Sequence, residues 1–186
     1  MIHPDTYVKP TSKGLGLFAS RRFETGTILW ILDDIDVKID LAHYQALDSF
    51  QQQKLNVYGY LDYQNRVIIA WDEGKYVNHS CDPNSIGVIG FDNISIALRP
   101  IETDEEIVED YYSYYGHFES FKCGCGAPNC RGYITQQNSY QAGLRLHVND
   151  IRAMVLGQPQ ELLQIQSSEN DTFFALLHQT DTILHE

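Results

Sequence analysis

The sequence predicts a mostly β protein built from several small sheets. Short segments rich in β-branched and aromatic residues, bounded by Gly, Pro, Asp and Asn, fill the first two-thirds of the chain. Helical periodicity is confined to one short stretch of that region and to the carboxy-terminal part. The 186 residues suit a single domain with an appendage.

The predicted strands are short and follow one another closely. The pairs Gln64-Asn65 and Asp92-Asn93 stand where two-residue hairpin turns are expected. Strands are predicted over residues 15–20, 27–32, 36–39, 57–62, 67–71, 85–90 and 94–98.

One short helix is predicted inside the β region, over residues 41–55, where apolar side chains recur at helical spacing and Asp40 can cap the first turn. Two more helices, over residues 150–156 and 171–178, give a helical carboxy-terminal extension, residues 136–186. The pattern of the extension leaves open whether it covers a groove, forms a dimer or packs on the core.

Charge and hydropathy exclude several classes of function. Asp and Glu number 25 against 13 Lys and Arg, a formal net charge of -12. No basic cluster is present, so no direct nucleic-acid partner is expected, whereas an acidic surface attracts basic proteins. No apolar run is long enough for a membrane span and the amino terminus has no secretory pattern. We therefore expect an intracellular protein without a membrane partner.

The four cysteines predict a structural zinc site. Cys123, Cys125 and Cys130 are separated by glycines and a Pro-Asn pair that let the chain curl, and Cys81 is the candidate fourth ligand. Four thiolates would fill a tetrahedral zinc and leave no position open to water. Disulfides and inert buried thiols are the alternatives, and an intracellular chain disfavours disulfides.

Three further segments contain candidate binding residues. Residues 13–19, Lys-Gly-Leu-Gly-Leu-Phe-Ala, allow close approach of a ligand but lack the third glycine of a dinucleotide fingerprint, and alone they indicate a tight turn into a strand. Residues 76–84 read Tyr-Val-Asn-His-Ser-Cys-Asp-Pro-Asn, which is also typical of a turn. Residues 104–111, Asp-Glu-Glu-Ile-Val-Glu-Asp-Tyr, are typical of an acidic strand edge.

Taken in order, these segments and the cysteine cluster resemble the SET-domain family of protein lysine methyltransferases with its post-SET cysteine motif. The resemblance covers roughly residues 10–135, and its specific parts are Asn-His-Ser-Cys-x-Pro-Asn and Cys-x-Cys-x4-Cys-Arg-Gly. It implies a β-clip of small curled sheets in which the Asn-His-Ser and Asp-Tyr segments pass through one another like a knot. The implied units are a SET domain over residues 1–118, a post-SET zinc segment over residues 119–135 and the extension.

The resemblance also implies S-adenosylmethionine as methyl donor, a structural Zn²⁺ and a lysine of a basic protein as acceptor. Tyr111 matches the family's catalytic tyrosine, and Cys81 matches the fourth ligand of the post-SET zinc. Histones are a candidate substrate on this analogy and on charge. The residues implied to bind the cofactor are Lys13, Gly14, Leu15, Gly16, Leu17, Tyr76, Asn78, His79, Tyr111, Phe121 and Tyr133.

The chemistry of the implied reaction requires a channel for the lysine side chain. Free lysine has a pKa of about 10.4 and is protonated near neutral pH, whereas only the neutral amine can attack a methyl group. Burial in a narrow aromatic channel disfavours the ammonium, while the hydroxyl of Tyr111 orients the amine. The channel candidates are Tyr58, Tyr60, Glu109 and Tyr114.

Glu109 departs from the family pattern, in which many members carry Phe or Tyr two residues before the catalytic tyrosine, where it helps set the number of methyl groups added. The degree of methylation is therefore left open. A carboxylate there could raise the pKa of the amine, accept a hydrogen bond from a methylated ammonium, or face outward. It also keeps open a different function, a catalytically weak module that binds the cofactor or a lysine-bearing partner.

Overall fold

The computed structural model describes residues 1–88, 91–114, 116–117, 120–135, 148–164 and 167–178. It confirms a mostly β fold of small sheets. The strands are β1 Thr6–Thr11, β2 Gly14–Ala19, β3 Ile28–Ile31, β4 Val37–Asp40, β5 Tyr60–Leu61, β6 Arg66–Ile69, β7 Asn78–His79, β8 Ser85–Val88, β9 Phe91–Ala97, β10 Val108–Glu109, β11 Gly116–His117, β12 Phe121–Lys122 and β13 Tyr133–Ile134. The α-helices are α1 Leu41–Ala46, α2 Ser49–Asn56, α3 Val148–Leu156 and α4 Asp171–His178. Within this described part, no helix has the length and apolar character needed to cross a bilayer.

The hairpin of β1 and β2 places the Gly-x-Gly stretch against Asn78 and Glu106. The two strands pair antiparallel over their whole length. Gly14 has a φ of 111°, a backbone conformation that residues with a Cβ rarely adopt. A Cβ on Gly16 would lie 2.7 Å from Oε1 of Glu106 and 3.1 Å from Nδ2 of Asn78. Glycine at position 16 therefore lets β2 lie directly against the Asn78 and Glu106 side chains.

The largest sheet contains a chain crossing. Its strand order is β3-β9-β8-β10-β7, so β10 lies between β7 and β8 although those two strands are neighbours in the sequence. Glu109 of β10 pairs in parallel with His79 on one side and with Ser85 on the other. The connection formed by residues 80–84 therefore passes around β10, which is the knot-like arrangement that the resemblance implied.

Hydrogen bonds fix the crossing from the inside. The side-chain amide of Asn84, which is buried, donates to the carbonyl of Glu106 at 2.8 Å, and its oxygen accepts from the N–H of Val108 at 2.9 Å. The N–H of Ser80 donates to the carbonyl of Glu109 at 2.9 Å. Because buried backbone groups without partners are costly, these bonds favour this one arrangement of β10.

Two helices are inserted between β4 and β5 of the four-stranded sheet, whose order is β11-β5-β6-β4. The single helix predicted over residues 41–55 is wrong in this respect, because Leu47 is extended and Asp48 starts a new helix. The carboxylate of Asp48 accepts from the N–H of Gln51, while the side chain of Gln51 accepts from the N–H of Asp48. Asp40 occupies the predicted N-cap position of α1, but its side chain makes no capping hydrogen bond.

Most predicted strands are present with shifted ends. A hairpin turn is present at Gln64-Asn65, but it has three residues and not the predicted two. The N–H of Asp62 donates to the carbonyl of Arg66, so residues 63–65 form the loop, and Asn65 adopts a positive φ of 58°. The turn at Asp92-Asn93 is wrong, because both residues lie within β9, which begins at Phe91. The strand over residues 57–62 shortens to β5, because the chain first has to leave α2. Residues 89 and 90 of the predicted strand over 85–90 lie outside the described residues.

The described part of the extension packs on the core. Helices α3 and α4 cover one face of the five-stranded sheet, and Arg66 pairs with Glu169 at 2.8 Å. Residues 136–147, 165–166 and 179–186 of the predicted extension lie outside the described residues. The shared apolar cluster comprises Ile28, Ile31, Ile86, Val88, Ile94, Ile96, Ile151, Val155, Leu162, Phe173 and Leu177.

Packing of α3 on the sheet predicts unequal costs for two substitutions in that helix. Ile151 is 3% exposed and Leu156 is 52% exposed. Ile151→Ala should lower the free energy of unfolding by about 2–5 kcal/mol, because it leaves a cavity against the sheet. Leu156→Ala, the matched control, should change it by no more than about 0.5 kcal/mol. Urea unfolding followed by circular dichroism measures both, and equal effects would contradict the packing.

Candidate active site

A cavity of about 220 Å³ lies beside the chain crossing. All four channel candidates, Tyr58, Tyr60, Glu109 and Tyr114, line this cavity together with Tyr111. The fold thus brings together residues that are up to 56 positions apart in the sequence, from Tyr58 to Tyr114. Other lining residues are Trp30, Asn56, Lys75, Val77, Ser95 and Phe121.

Tyr111 begins a short 3-10 turn directly after the crossing strand β10. Asp110 caps this turn by accepting from the N–H of Tyr112. The hydroxyl of Tyr111 donates to the carbonyl of Val77 at 2.9 Å. Burial raises the pKa of Tyr111, and the nearby carboxyl of Glu109 raises it further. Tyr111 is therefore a neutral phenol whose hydroxyl proton is engaged by the carbonyl of Val77.

Aromatic rings form the walls of the cavity. The rings of Tyr60 and Tyr114 are stacked at 4.7 Å between centroids, and Tyr111 lies 5.9 Å from Tyr114. Tyr58 meets Tyr76 edge to face at 5.7 Å. Such walls exclude water, and their faces attract cations. The cavity is therefore suited to the alkyl chain and the terminal nitrogen of a lysine.

Glu109 points into this apolar space and not outward. It is 2% exposed, lines the cavity and accepts a short hydrogen bond from the hydroxyl of Tyr114. Burial raises its pKa, and hydrogen bonds from Tyr114, Ser95 and Ser85 oppose that shift in part. Among the described residues no Lys, Arg or His forms an ion pair with Glu109. A buried carboxyl without a cation is costly, which indicates a functional position.

Four of the residues implied to bind the cofactor, Lys13, Leu15, Asn78 and His79, are joined by hydrogen bonds. The side-chain amide of Asn78 donates to the carbonyl of Leu15 at 3.0 Å and to Oε1 of Glu106 at 2.8 Å. The ammonium of Lys13 donates to the carbonyl of His79 at 3.4 Å and lies 3.6 Å from Oε2 of Glu106. Both amide protons of Asn78 are thereby engaged, which leaves its oxygen to accept from a ligand.

The three aromatic cofactor candidates occupy different positions. Phe121 meets the ring of His79 at 5.8 Å and that of Tyr111 at 6.1 Å, both edge to face. Tyr133 is opposite Lys122 in the β12–β13 pair, so it points away from the face that carries Phe121, and it is 54% exposed. Tyr76 packs on Tyr58 near the cavity. The structure brings Phe121 to the predicted group and does not bring Tyr133 there.

The four cysteines converge as the zinc prediction requires. Their sulfur atoms all lie within 4.8 Å of one another, and those of Cys81 and Cys123 are 3.9 Å apart. A tetrahedral zinc with bonds of about 2.3 Å places its sulfurs about 3.8 Å apart. All four are free thiols, so the disulfide alternative is not supported. The donor set therefore fits a structural Zn²⁺.

Backbone N–H groups around the cluster favour thiolates. The N–H of Cys81 points at the sulfur of Cys125, and the N–H of Arg131 points at the sulfur of Cys81. Burial raises the pKa of Cys125, but hydrogen bonds from the backbone of Cys81 and Ala127 outweigh it and lower the pKa to about 6. Such donors around a metal site stabilise the deprotonated ligands.

One ion pair joins the cysteine cluster to the crossing. The guanidinium of Arg131 makes two hydrogen bonds to the carboxylate of Asp110, at 2.8 and 2.6 Å. The same guanidinium stacks on the ring of Tyr112 at 4.6 Å. Asp110 directly precedes Tyr111. The two hydrogen bonds from Arg131 therefore help fix the position of Tyr111 relative to the cysteine cluster.

Comparison with known proteins assigns the family. A SET-domain family model matches residues 14–112, which is 99 of the 186 residues. The fold with its strand crossing and the meeting of the four sequence segments agree with that match. The chain belongs to the SET-domain family.

Its relatives are much longer proteins. The chain is 34% identical over 156 residues to the variant-silencing SET domain-containing protein of Plasmodium falciparum, covering 75% of this chain and 6% of that protein. It is 28% identical over 131 residues to the histone-lysine N-methyltransferase trr of Drosophila melanogaster, covering 66% and 5%. The human histone-lysine N-methyltransferase SETD2 is 29% identical over 152 residues, covering 73% and 6%. The chain thus spans about one-twentieth of the length of these relatives.

A solved structure supports the fold. The crystal structure of KRYPTONITE in complex with mCHG DNA and SAH aligns with a TM-score of 0.51 and 20% sequence identity, covering 69% of this chain and 28% of that chain. At this level of identity the similarity concerns the fold.

Two contributors to the site were not predicted from the sequence. Glu106 was grouped with an acidic edge, yet its carboxylate contacts both Asn78 and Lys13. Asp110 was assigned no partner, yet it binds Arg131. The Cys-Arg-Gly motif is a sequence signal that could have pointed to Arg131. No sequence signal points to Glu106, because the strand crossing determines which residues it contacts.

Zinc at the cysteine cluster predicts a measurable metal content. The purified protein should contain one zinc per chain by plasma mass spectrometry, and Cys123→Ser should lower both this content and the melting temperature, because a structural metal contributes folding free energy. Glu161→Gln is the control, since the second group of potential ligands, His3, Asp5 and Glu161, is already bridged by the guanidinium of Arg21. A zinc-free protein with an unchanged melting temperature would contradict this site.

The raised pKa of Glu109 predicts how stability depends on pH. Below the unfolded value of about 4.3 the carboxyl is protonated in both states, and as pH rises to the higher folded value the unfolded state gains relative stability. Glu109→Gln should therefore raise the free energy of unfolding near about pH 8, with the gain shrinking towards about pH 4. Urea unfolding measures this, with the exposed Glu73→Gln as control. A gain that is independent of pH would contradict burial of the carboxyl.

Proposed function

We propose that this chain is an S-adenosylmethionine-dependent protein lysine methyltransferase with a structural Zn²⁺. The observation that carries the proposal is the aromatic cavity in which Tyr111 and the four channel residues meet next to the crossing of β10. Membership of the SET-domain family supports it. No comparable support exists for the catalytically weak binding module, since the cavity walls and the Tyr111 hydroxyl are in place.

We infer the roles of the residues from their contacts. When bound, S-adenosylmethionine supplies the methyl group. The Gly14–Gly16 stretch, Lys13 and the main chain of His79 hold it, and the oxygen of Asn78 accepts from its polar part, because both amide protons of Asn78 are engaged elsewhere. Phe121 covers this side, and Tyr133 has no part in it.

The cavity favours the neutral form of the lysine that accepts the methyl group and orients its nitrogen. Its aromatic walls exclude water and lower the pKa of an entering lysine ammonium by desolvation. The Tyr111 oxygen, whose own proton is bound to the carbonyl of Val77, accepts an N–H of the amine and aligns its lone pair. Cys81, Cys123, Cys125 and Cys130 would hold Zn²⁺, which would fix the post-SET segment so that Arg131 stays bound to Asp110, and the metal would have a structural role.

The proposed substrate is a lysine in a basic segment of another protein. The net charge of -12 attracts such segments and speeds their encounter at low salt. Two of the relatives described above are histone-lysine methyltransferases by name, so a histone is the first substrate to try. The activity and substrates of the whole protein are included in this proposal.

The proposed organisation has three units. Residues 1–118 form the SET domain, residues 119–135 the post-SET zinc segment and residues 136–186 the extension. Closure of β12 on β13 around the cysteines and the packing of α3 and α4 on β9 support this division. The boundary at residues 118 and 119 lies outside the described residues.

Tyr111→Phe tests the catalytic role. Loss of the oxygen that aligns the amine should lower the rate of methyl transfer about 10²-fold with little change in the melting temperature. The protein is incubated with cofactor and a histone mixture, and mass spectrometry counts added methyl groups. Tyr63→Phe, which removes an exposed hydroxyl outside the cavity, is the control. An undiminished rate for Tyr111→Phe would contradict the mechanism, and no transfer by the wild type to any basic protein would contradict the function.

A further inference from the structure

Among the described residues that line the cavity, Glu109 has the one carboxyl group. Tyr111 and Tyr114 are phenols whose pKa burial raises, so neither becomes a phenolate there. Lys75 is a cation, and the remaining polar lining residues described, such as Asn56 and Ser95, are neutral. Glu109 is left as the acceptor.

The hydrogen-bond directions support the same assignment. The proton of Tyr114 is donated to Glu109, and the proton of Tyr111 is donated to the carbonyl of Val77. Both phenols therefore donate their protons to groups of the protein. A carboxylate has about four acceptor positions, and the hydroxyls of Tyr114, Ser95 and Ser85 fill at most three of them. Glu109 keeps the capacity to accept from a ligand N–H.

We propose that Glu109 is the proton acceptor that converts the target lysine from ammonium to amine inside the channel. This inference rests on the proposed function. An N–H bond of the ammonium breaks and an O–H bond forms on the Glu109 carboxylate, so a cation and an anion become two neutral groups. The electron pair of the broken N–H bond stays on the nitrogen, where it is available to attack the methyl group.

The surroundings of Glu109 favour this transfer. In an apolar cavity, neutral partners avoid the desolvation cost of two separate charges. The raised pKa of Glu109 and the lowered pKa of a buried amine bring the two groups closer in proton affinity. None of the described elements around Glu109 brings a cation into an ion pair with it. Several polar and titratable groups lie around Glu109. They are Asn56 on α2, Tyr58 before β5, Tyr60 on β5, His79 on β7, Ser85 on β8, Ser95 on β9, Glu106 before β10, Tyr111 and Tyr114 after β10, and Lys75 at the cavity rim.

A proton acceptor inside the channel has a distinct consequence for pH dependence. If the ammonium loses its proton to bulk water, the rate rises with pH until the amine is fully deprotonated. If Glu109 takes the proton, the rate is flat above the pKa of Glu109 and falls only below it. Glu109 then accepts a proton, which Phe at this position could not do.

Glu109→Gln tests the inference, because it keeps the shape and the hydrogen bond from Tyr114 but cannot take a proton. At saturating cofactor and histone substrate, kcat should fall about 10²-fold near about pH 7, and its logarithm should then rise with pH at a slope of about one. Wild type and the control Glu73→Gln, an exposed acid next to the cavity rim, should share a flat profile over the same range. Superimposable profiles for wild type and Glu109→Gln would overturn the proposal.

A second variant separates proton transfer from shape. Glu109→Ala opens room for a small carboxylate, so added formate should restore at least about tenfold of the lost kcat, whereas Glu109→Gln should show no rescue. A folded Glu109→Ala protein that formate does not rescue would contradict the role of Glu109 while leaving the methyltransferase assignment intact. Absence of methyl transfer by the wild type itself would refute the proposed function, and this inference with it.

Discussion

The parallel insertion of β10 between β7 and β8 is the constraint on which the site depends. It forces the ends of two distant segments into register, with Glu109 beside His79 and Ser85. The residues that follow each strand then emerge on opposite sides of one crossing, Cys81 towards the cysteine cluster and Tyr111 towards the cavity. A shift of one residue in this register would turn Glu109 out of the cavity and Tyr111 away from Val77.

Polar contacts stabilise the crossing although it contains a buried carboxyl group, Glu109, that disfavours folding. Asn84 satisfies backbone groups on β10, and Arg131 holds Asp110 through two hydrogen bonds. These contacts stabilise the segment that carries Glu109, whose burial without a cation disfavours folding. The stable outer framework of β3, β9, α3 and α4 supplies the apolar burial that offsets this cost. The buried carboxyl that disfavours folding and the apolar cluster that favours it thus belong to the same five-stranded sheet.

Much of this organisation could be predicted from the sequence, and the failures have physical causes. The cysteine spacing and the Asn-His-Ser segment identified the family, and strands such as β2 and β6 have a clear composition. Strands of two residues, such as β7 and β10, have no periodicity and exist only because the crossing pairs them. The apolar spacing continues across residues 41–55 and therefore predicted one helix, whereas the capping box of Asp48 and Gln51 starts a second one. The partners of Glu106 and the position of Tyr133 depend on tertiary register, which local patterns do not contain.

Amide hydrogen exchange measures the crossing most directly. The segment over residues 80–84 joins two short strands and, without β10 inside it, would exchange as an exposed loop. The N–H groups of Ser80 and Asn84 donate to carbonyls of β10, so they should exchange only through global unfolding, as slowly as the amides at the centre of β9. Exchange of these two amides at the rate of an open loop would contradict the crossing and, with it, the arrangement of the site.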